Sequence, residues 1–264
     1  MKKENIQRVG IIGNGNVAWH LSVLFASAGI TVSGILVRNM SKAKLKQLDQ
    51  QFSAPLFEDI EALRSCSDMI MIAVSDNHVL EVAANLRGFK GIAVHTSGAV
   101  PLAGLAAFCP DSGVFYPLQT LTKGKLVAPD DIPFCIESTN PETGKRLLNL
   151  AVSIGSPAVR MDSGQRLLVH VAAVLACNFP NHLYLLARKV MQAGHADYSL
   201  LLPLIRETTG KIQAIDPFDA QTGPALRGDQ ETLAKHFEVL KDLPEIQGVY
   251  RELTRSIIEH HKNQ

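Results

Sequence analysis

Cysteine is scarce and scattered in this chain. Cys66, Cys109, Cys135 and Cys177 stand far apart, with no C-x-x-C pair among them. That spacing excludes a disulfide framework and a thiolate zinc site, and reads as buried thiols in a reducing, cytoplasmic compartment. An excess of charge is lacking too. Twenty-six basic residues against 25 acidic ones leave a formal net charge of +1, so nothing points to nucleic acid or to an acidic membrane surface. No run of eighteen uninterrupted apolar residues occurs, so no membrane span is expected. The first apolar run breaks at Gly13, too soon for a signal peptide. There is no internal repeat and no low-complexity tract. A globular protein remains. Its 264 residues, 46% of them hydrophobic, suffice for one large domain or two modest ones.

What is present starts at Val9. The stretch Val9-Gly10-Ile11-Ile12 runs into Gly13-Asn14-Gly15-Asn16-Val17-Ala18, a G-x-G-x-x-A pattern, and an amphipathic run follows to Ala28. Strand, tight glycine turn and helix are the reading. Gly13 allows the turn. Gly15 lets backbone N–H groups approach a pyrophosphate, and Ala18 lets the helix pack close to the strand. The helix N-terminus then offers unpaired N–H groups and a partial positive charge to phosphate. The motif alone is weak; between a hydrophobic strand and a helix it is a dinucleotide signature.

One more absence says which dinucleotide. An NAD site places an Asp or Glu at the end of the second strand, to accept hydrogen bonds from the ribose 2′-OH. Here no acidic residue occurs from Ile30 to Leu48. The second strand, Thr31–Val37, ends in Arg38-Asn39, followed by Ser41, Lys42, Lys44 and Lys46. A guanidinium grips a 2′-phosphate that a carboxylate would repel. The cofactor expected is NADP, with Arg38, Asn39 and Ser41 around its 2′-phosphate. Lys44 and Lys46 read as the solvated face of the second helix.

Strand and helix alternate in the first part of the chain. Strands are predicted at Arg8–Ile12, Thr31–Val37, Met69–Val74, Gly91–His95, Gly113–Tyr116, Pro133–Glu137 and Ala158–Met161. Helices are predicted at Gly15–Ala28, Ser41–Gln51, Asp76–Leu86 and Pro141–Ile154, the last capped by Asn140 with proline in its first turn. Such alternation implies an α/β fold, a doubly wound and mostly parallel Rossmann sheet. The all-apolar strand from Met69 suits a sheet covered on both faces. From Ser163 no strand pattern remains. Gln165–Ala193 reads as one long helix, kinked near Ala176 to Pro180 by Pro180. Ser199–Ile212, Asp229–Leu240 and Pro244–His260 follow as helices. The expectation is a NADP-binding Rossmann domain over 1–162 and an all-helical substrate and dimerisation domain over 163–264.

Candidate site residues lie in the loops at the carboxyl ends of the strands. These are Gly13, Asn14, Gly15, Asn16 and Val17 after the first strand. Val74 and Ser75 follow the Met69 strand, and Thr96 and Ser97 the next. Asp76 reads as a helix N-cap, and Ser97-Gly98 can equally be a plain turn. The long helix interrupts its Ala/Val/Leu sequence with His170, Asn178 and Asn181. Two readings stand level: core groups propping the proline kink, or a polar stripe lining a cleft. Tyr116-Pro117-Leu118-Gln119-Thr120 follows a strand and can border the same cleft. In Thr222-Gly223-Pro224-Ala225-Leu226-Arg227-Gly228-Asp229, Asp229 is placed to cap the next helix. Arg227 can clamp a substrate carboxylate or pair with Asp229.

With these motifs together, the chain resembles bacterial Rossmann-like oxidoreductases similar to deazaflavin-dependent NADP oxidoreductases, with a C-terminal domain of unknown function. The likeness spans nearly the whole chain. It rests on G-N-G-N-V-A at 13–18, H-T-S-G at 95–98, P-L-Q-T at 117–120, H-x-A-A-V-x-A-C-N at 170–178 and T-G-P-A-x-R-G-D at 222–229. The family commonly has His before P-L-Q, where this chain has Tyr116. More distantly the layout is similar to pyrroline-5-carboxylate reductase and ketopantoate reductase. His170 stands where the latter has a Lys, and Asn178 matches its Asn. The resemblance implies hydride transfer between NADP(H) and a small, anionic metabolite. His170 would be the acid/base, Asn178 an orienting partner and Arg227 an anion clamp. No metal is expected, and the long helix, apolar on more than one face, predicts a homodimer through the helical domain. The rival is a non-catalytic NADP-binding redox sensor or regulatory protein.

Overall fold

The computed structural model describes residues 5–37, 41 and 50–262. Arg38, Asn39 and most of the expected helix Ser41–Gln51 lie outside them. The chain forms two compact units, residues 1–178 and 179–264. In the first, eight strands make one sheet: β1 (Arg8–Ile12), β2 (Thr31–Leu36), β3 (Leu56–Phe57), β4 (Met69–Ile72), β5 (Ile92–His95), β6 (Ser112–Pro117), β7 (Phe134–Ser138) and β8 (Ala158–Arg160). Their order is β3-β2-β1-β4-β5-β6-β7-β8. The first six strands thus follow the doubly wound order 3-2-1-4-5-6, whose chain reversal lies between β1 and β4.

Helices cover both faces. α1 (Asn16–Ser27) and α5 (Pro141–Ser153) lie on one side, where Leu21, Phe25, Leu147 and Leu150 pack with Val9, Ile11, Met69 and Met71. On the other side α2 (Ile60–Cys66), α3 (Val79–Ala84) and α4 (Leu102–Ala106) bring Leu63, Val82 and Leu105 against Ile12, Ile70 and Ile72. Alternate residues of β4 serve opposite faces, and all four are fully buried, which is why that strand reads as apolar throughout.

The sheet is mostly parallel, as expected, and one pairing departs from the rule: β7 runs antiparallel to β6. The chain returns from β6 through the long loop 118–133, which holds no α-helix to carry it across the sheet, and β7 pairs as a return strand. The sequence reading also missed β3, α2 and α4, which are short. The helix expected at Asp76–Leu86 is a 3₁₀ turn, Asp76–His78, followed by α3. Asp76 therefore lies inside the turn and is not an N-cap.

The last strand ends at Arg160, and α6 (Ser163–Ala173) begins where the strand pattern stops. The Asp162 carboxylate accepts a hydrogen bond from Gln165 N at 2.8 Å, and Gln165 Oε1 accepts one from Asp162 N at 3.1 Å, forming a capping box. Where a proline kink was expected, the helix widens into a π turn, Val174–Asn178, immediately before Phe179 and Pro180. Pro180 has no N–H to donate and its ring crowds the carbonyl of Ala176. The wider turn leaves room for both.

The second unit holds α7 (Phe179–Ala193), a 3₁₀ turn at Tyr198–Leu201, α8 (Leu202–Lys211), α9 (Gln230–Val239) and α10 (Pro244–His261). Asp229 caps α9, accepting from Thr232 N at 3.0 Å, as its position suggests. Leu186, Leu240 and Ile246 form a small core.

Candidate functional site

Gly13 takes φ +120, and a Cβ on it would stand 2.3 Å from the carbonyl oxygen of Ala73. Only glycine fits there, where the loops after β1 and β4 meet at the chain reversal. Gly15 is different. Its φ of −77 suits any residue, yet a Cβ there would meet nothing within 4 Å. The missing side chain leaves open space beside the start of α1. That helix begins without a side-chain cap and has no acidic residue in its first turn. Among the described residues its first N–H groups have no side-chain cap, and with the helix dipole they suit an anion. Ala18, fully buried, lets the helix approach the sheet. These residues fit a dinucleotide pyrophosphate.

The loop after β5 holds Thr96, Ser97 and Gly98. The Ser97 hydroxyl accepts from Ala99 N and Val100 N, both at 3.0 Å, and the Thr96 hydroxyl donates to Ile72 O at 3.4 Å. Both side chains thus shape the loop. Ser75 is exposed and its hydroxyl bonds His78 Nδ1 at 2.9 Å. Val74 lies beside Gly13, and Ser41 is exposed.

His170 comes to this loop from α6. A Cβ on Gly98 would stand 2.8 Å from His170 Cγ and 2.9 Å from Tyr116 Cζ. Glycine in H-T-S-G therefore makes room for two rings. The Tyr116 hydroxyl and His170 Nδ1 are 3.0 Å apart. Burial pushes the Tyr116 phenol up to about 12, so it stays protonated. A phenol both donates and accepts, so it holds Nδ1 whether or not that nitrogen carries a proton. Nε2 has no hydrogen-bond partner among the described residues, and His170 is half-buried. It is not a sealed core histidine. Tyr116, the departure from the family's His, is its direct partner.

α6 is fastened one turn earlier. Arg166 is fully buried and pairs with Glu137 of β7. It also donates to Val100 O at 2.6 Å and to Ser163 Oγ at 3.3 Å, while the Ser163 hydroxyl donates to Glu137 at 2.8 Å. Arg166 and His170 are four apart and share a helix face, so the clamp sets the imidazole beside Gly98. Below it, His95 is fully buried; burial, with Arg166 nearby, drives it down to about 3. It is neutral at ordinary pH and accepts from Ser97 N at 3.2 Å through Nδ1.

A cavity of about 730 Å³ gathers these parts. Asn16, Val17, Thr96, Tyr116, His170 and Asn178 are among its lining residues, and its volume suits a ligand-sized cleft. On an ideal helix, residues eight apart lie about 80° round from each other. The π turn takes up one extra residue, so His170 and Asn178 stand as residues seven apart would, about 20° off. The widened turn thus brings the exposed Asn178 into the cavity with His170. Arg227 belongs to the second unit and is exposed. Among the described residues no cluster of three or more His, Cys, Asp or Glu could hold a metal. The sequence reading overlooked Arg166; it placed Tyr116 at the border of the cleft but did not foresee its hydrogen bond to His170. A lone Arg four residues before His170 in an apolar helix was the available signal.

The fold and the site define a class: a Rossmann-like dinucleotide unit joined to a helical C-terminal unit. A solved structure, "putative NADP oxidoreductase BF3122" of Bacteroides fragilis, is 31% identical, covers 97% of this chain and 99% of its own, and superposes with a TM-score of 0.87. Residues 132–257 match the family described as a domain of unknown function, DUF2520. The chain belongs to this family of Rossmann-like NADP oxidoreductases. A reductive aminase from Aspergillus terreus, solved with NADPH, shares the fold at 14% identity and a TM-score of 0.68, over 96% of this chain and 94% of its own. So does the Plasmodium falciparum pyrroline carboxylate reductase with NADP bound, at 16% identity and 0.59, over 97% and 99%. Among curated proteins none matches.

Proposed function

We propose that the protein is an NADP-dependent oxidoreductase that moves a hydride between NADP(H) and a small, anionic metabolite. One observation carries this reading: residues of the dinucleotide crevice, Asn16, Val17 and Thr96, line the same cavity as His170 and Asn178. Membership of a family that includes the Bacteroides fragilis protein supports it. Gly13, Asn14, Gly15, Asn16 and Val17 would hold the pyrophosphate. Arg38, Asn39 and Ser41 would take the 2′-phosphate. Val74, Ser75, Thr96 and Ser97 would border the ribose and nicotinamide, Thr96 and Ser97 through their backbone, since their hydroxyls are spent in the loop.

When bound, the nicotinamide supplies or accepts the hydride. The protein supplies the proton. Tyr116 keeps His170 Nδ1 occupied, which leaves Nε2 as the atom that gives a proton to the substrate's developing oxyanion or amine, or takes one in reverse. Asn178 orients the reacting carbonyl or imine, and Arg227 clamps the anionic group. The helical part of the chain, 163–264, would serve substrate binding and a homodimer, with its first helix and π turn belonging to the first compact unit. Four unpaired cysteines, with Cys109 and Cys135 buried, suit a cytoplasmic setting. The partners are the small-molecule substrate and a second copy, not nucleic acid or membrane.

Calorimetry with NADPH and NADH tests the cofactor. NADPH should bind more tightly, and Arg38→Asp should narrow or reverse the preference. Equal affinities for the two in the wild type would overturn the NADP assignment. NADPH consumption with a panel of small anionic carbonyl compounds and imines tests the chemistry. His170→Ala should cut the rate by about a hundredfold with NADPH affinity intact. Tight NADPH binding without turnover on any of the panel would favour a redox sensor or regulatory protein instead.

A further inference from the structure

The loop 118–133 that reverses the chain between β6 and β7 does more than connect them. It lies along the start of α1. Val127 N donates to the buried His20 Nε2 at 2.9 Å, and Lys123 N donates to Asn16 Oδ1 at 3.2 Å. Gly124, at φ +86, closes a tight turn in which Lys125 N donates to Thr122 O at 3.1 Å. That turn delivers Lys123 to the glycine loop. Its ammonium donates to Asn14 O at 2.9 Å and Gln51 Oε1 at 3.2 Å, and sits 5.4 Å from the centre of the Phe52 ring.

Both hydrogen-bond acceptors are neutral. An ammonium has three N–H donors, and among the described residues only two are used. Among the described residues no carboxylate forms an ion pair with Lys123. Burial lowers its affinity for a proton, as expected for a cation partly withdrawn from water without a counter-charge. Such an arrangement costs stability unless an anion arrives. The anion is specified by what lies beside it: Asn14, in the turn between Gly13 and Gly15, with the bare start of α1 adjoining. We infer that Lys123 is a cofactor-binding residue that reaches across from the β6–β7 loop to the pyrophosphate of the dinucleotide. This rests on the dinucleotide reading above. A cation on a return loop then completes a cradle otherwise made of backbone N–H groups, and ties cofactor binding to the loop that also carries cavity residues Leu118 to Leu121.

Titration calorimetry of the intact protein with NADPH and with NADH, at several salt concentrations, tests it. Lys123→Met should raise Kd for both dinucleotides by about tenfold or more and make Kd less dependent on salt. Lys123→Arg should restore most of the affinity. Gln51→Ala removes a fastening contact but keeps the charge, and should bind near the wild-type level. A loss for NADPH alone would move Lys123 to the 2′-phosphate and overturn the pyrophosphate assignment. Unchanged Kd in Lys123→Met, or an equal loss in Gln51→Ala, would make Lys123 a loop fastener only. A wild type that binds neither dinucleotide would overturn the cofactor reading and this inference with it.

Discussion

His170 depends on its neighbours for its role. Tyr116 fixes Nδ1, and Gly98 leaves both rings their room. Tyr116→Phe removes one hydroxyl and little volume. It should lower kcat by about tenfold through a less well-held imidazole, with NADPH affinity unchanged; an unaltered kcat would leave Tyr116 only a packing role. His95 makes a second, independent prediction. Buried and neutral, it titrates at about 3, against about 6.5 in an unfolded chain. Between these values the unfolded state binds the extra proton, so stability falls as pH falls. The slope from this group is at most about 1.4 kcal/mol per pH unit. His20, lowered by burial as well, acts in the same direction. The melting temperature should drop steadily below pH 6.5, and His95→Asn should flatten the fall. A flat profile in the wild type would contradict the burial of these rings.

At the scale of elements, α6 carries the site and the Arg166–Glu137 pair holds α6 to the sheet. Glu137→Gln would leave a fully buried guanidinium without its anion. It should cost about 3 kcal/mol or more in denaturant unfolding. Arg166→Met with Glu137→Leu should recover much of that, since neither charge is then stranded. If Glu137→Gln is as stable as the wild type, the clamp is not what fixes the helix. The π turn is the complementary device. It takes up Pro180 and brings Asn178 round to His170, and periodic reasoning alone could not supply that alignment.

For the whole molecule, exposed apolar surface is the feature that calls for a partner. Ser163–Ala193 is long and apolar enough, by length and composition, to cross a membrane. Yet it carries the buried Arg166 pair and the polar stripe of His170 and Asn178, which suit a protein interior or a cleft. Leu168 is 72% exposed and Leu175 60%. The second unit by itself buries little: Leu204 is 61% exposed and Val239 71%, and an apolar groove of about 460 Å³ runs past Leu183, Leu186, Val190 and Leu253. The proposed homodimer would cover such exposed apolar area. A two-fold pair of chains is the commonest way to cover it. Light scattering at micromolar concentration should therefore give a dimer, and Leu168→Glu with Leu175→Glu a monomer that aggregates more readily. A monomeric wild type would overturn the pairing.

The sequence by itself determined what depends on local pattern. The strand–glycine–helix start, the apolar β4, the caps at Asn140 and Asp229, and the change from strand to helix near residue 162 all follow from residues adjacent in the chain. There, turn sterics and burial periodicity act over a few positions. The candidate pair His170 and Asn178 was legible as polar residues in an apolar helix, but not whether they were core props or a cleft. Only the tertiary structure decided that, because the answer turns on contacts between residues far apart. Tyr116 and His170 are 54 positions apart, Arg166 and Glu137 29, and Lys123 and Asn14 109. No spacing rule spans such distances. The reversed β7 and the one-residue slip of the π turn depend on how the sheet and the long helix pack, and those two features bring the site together.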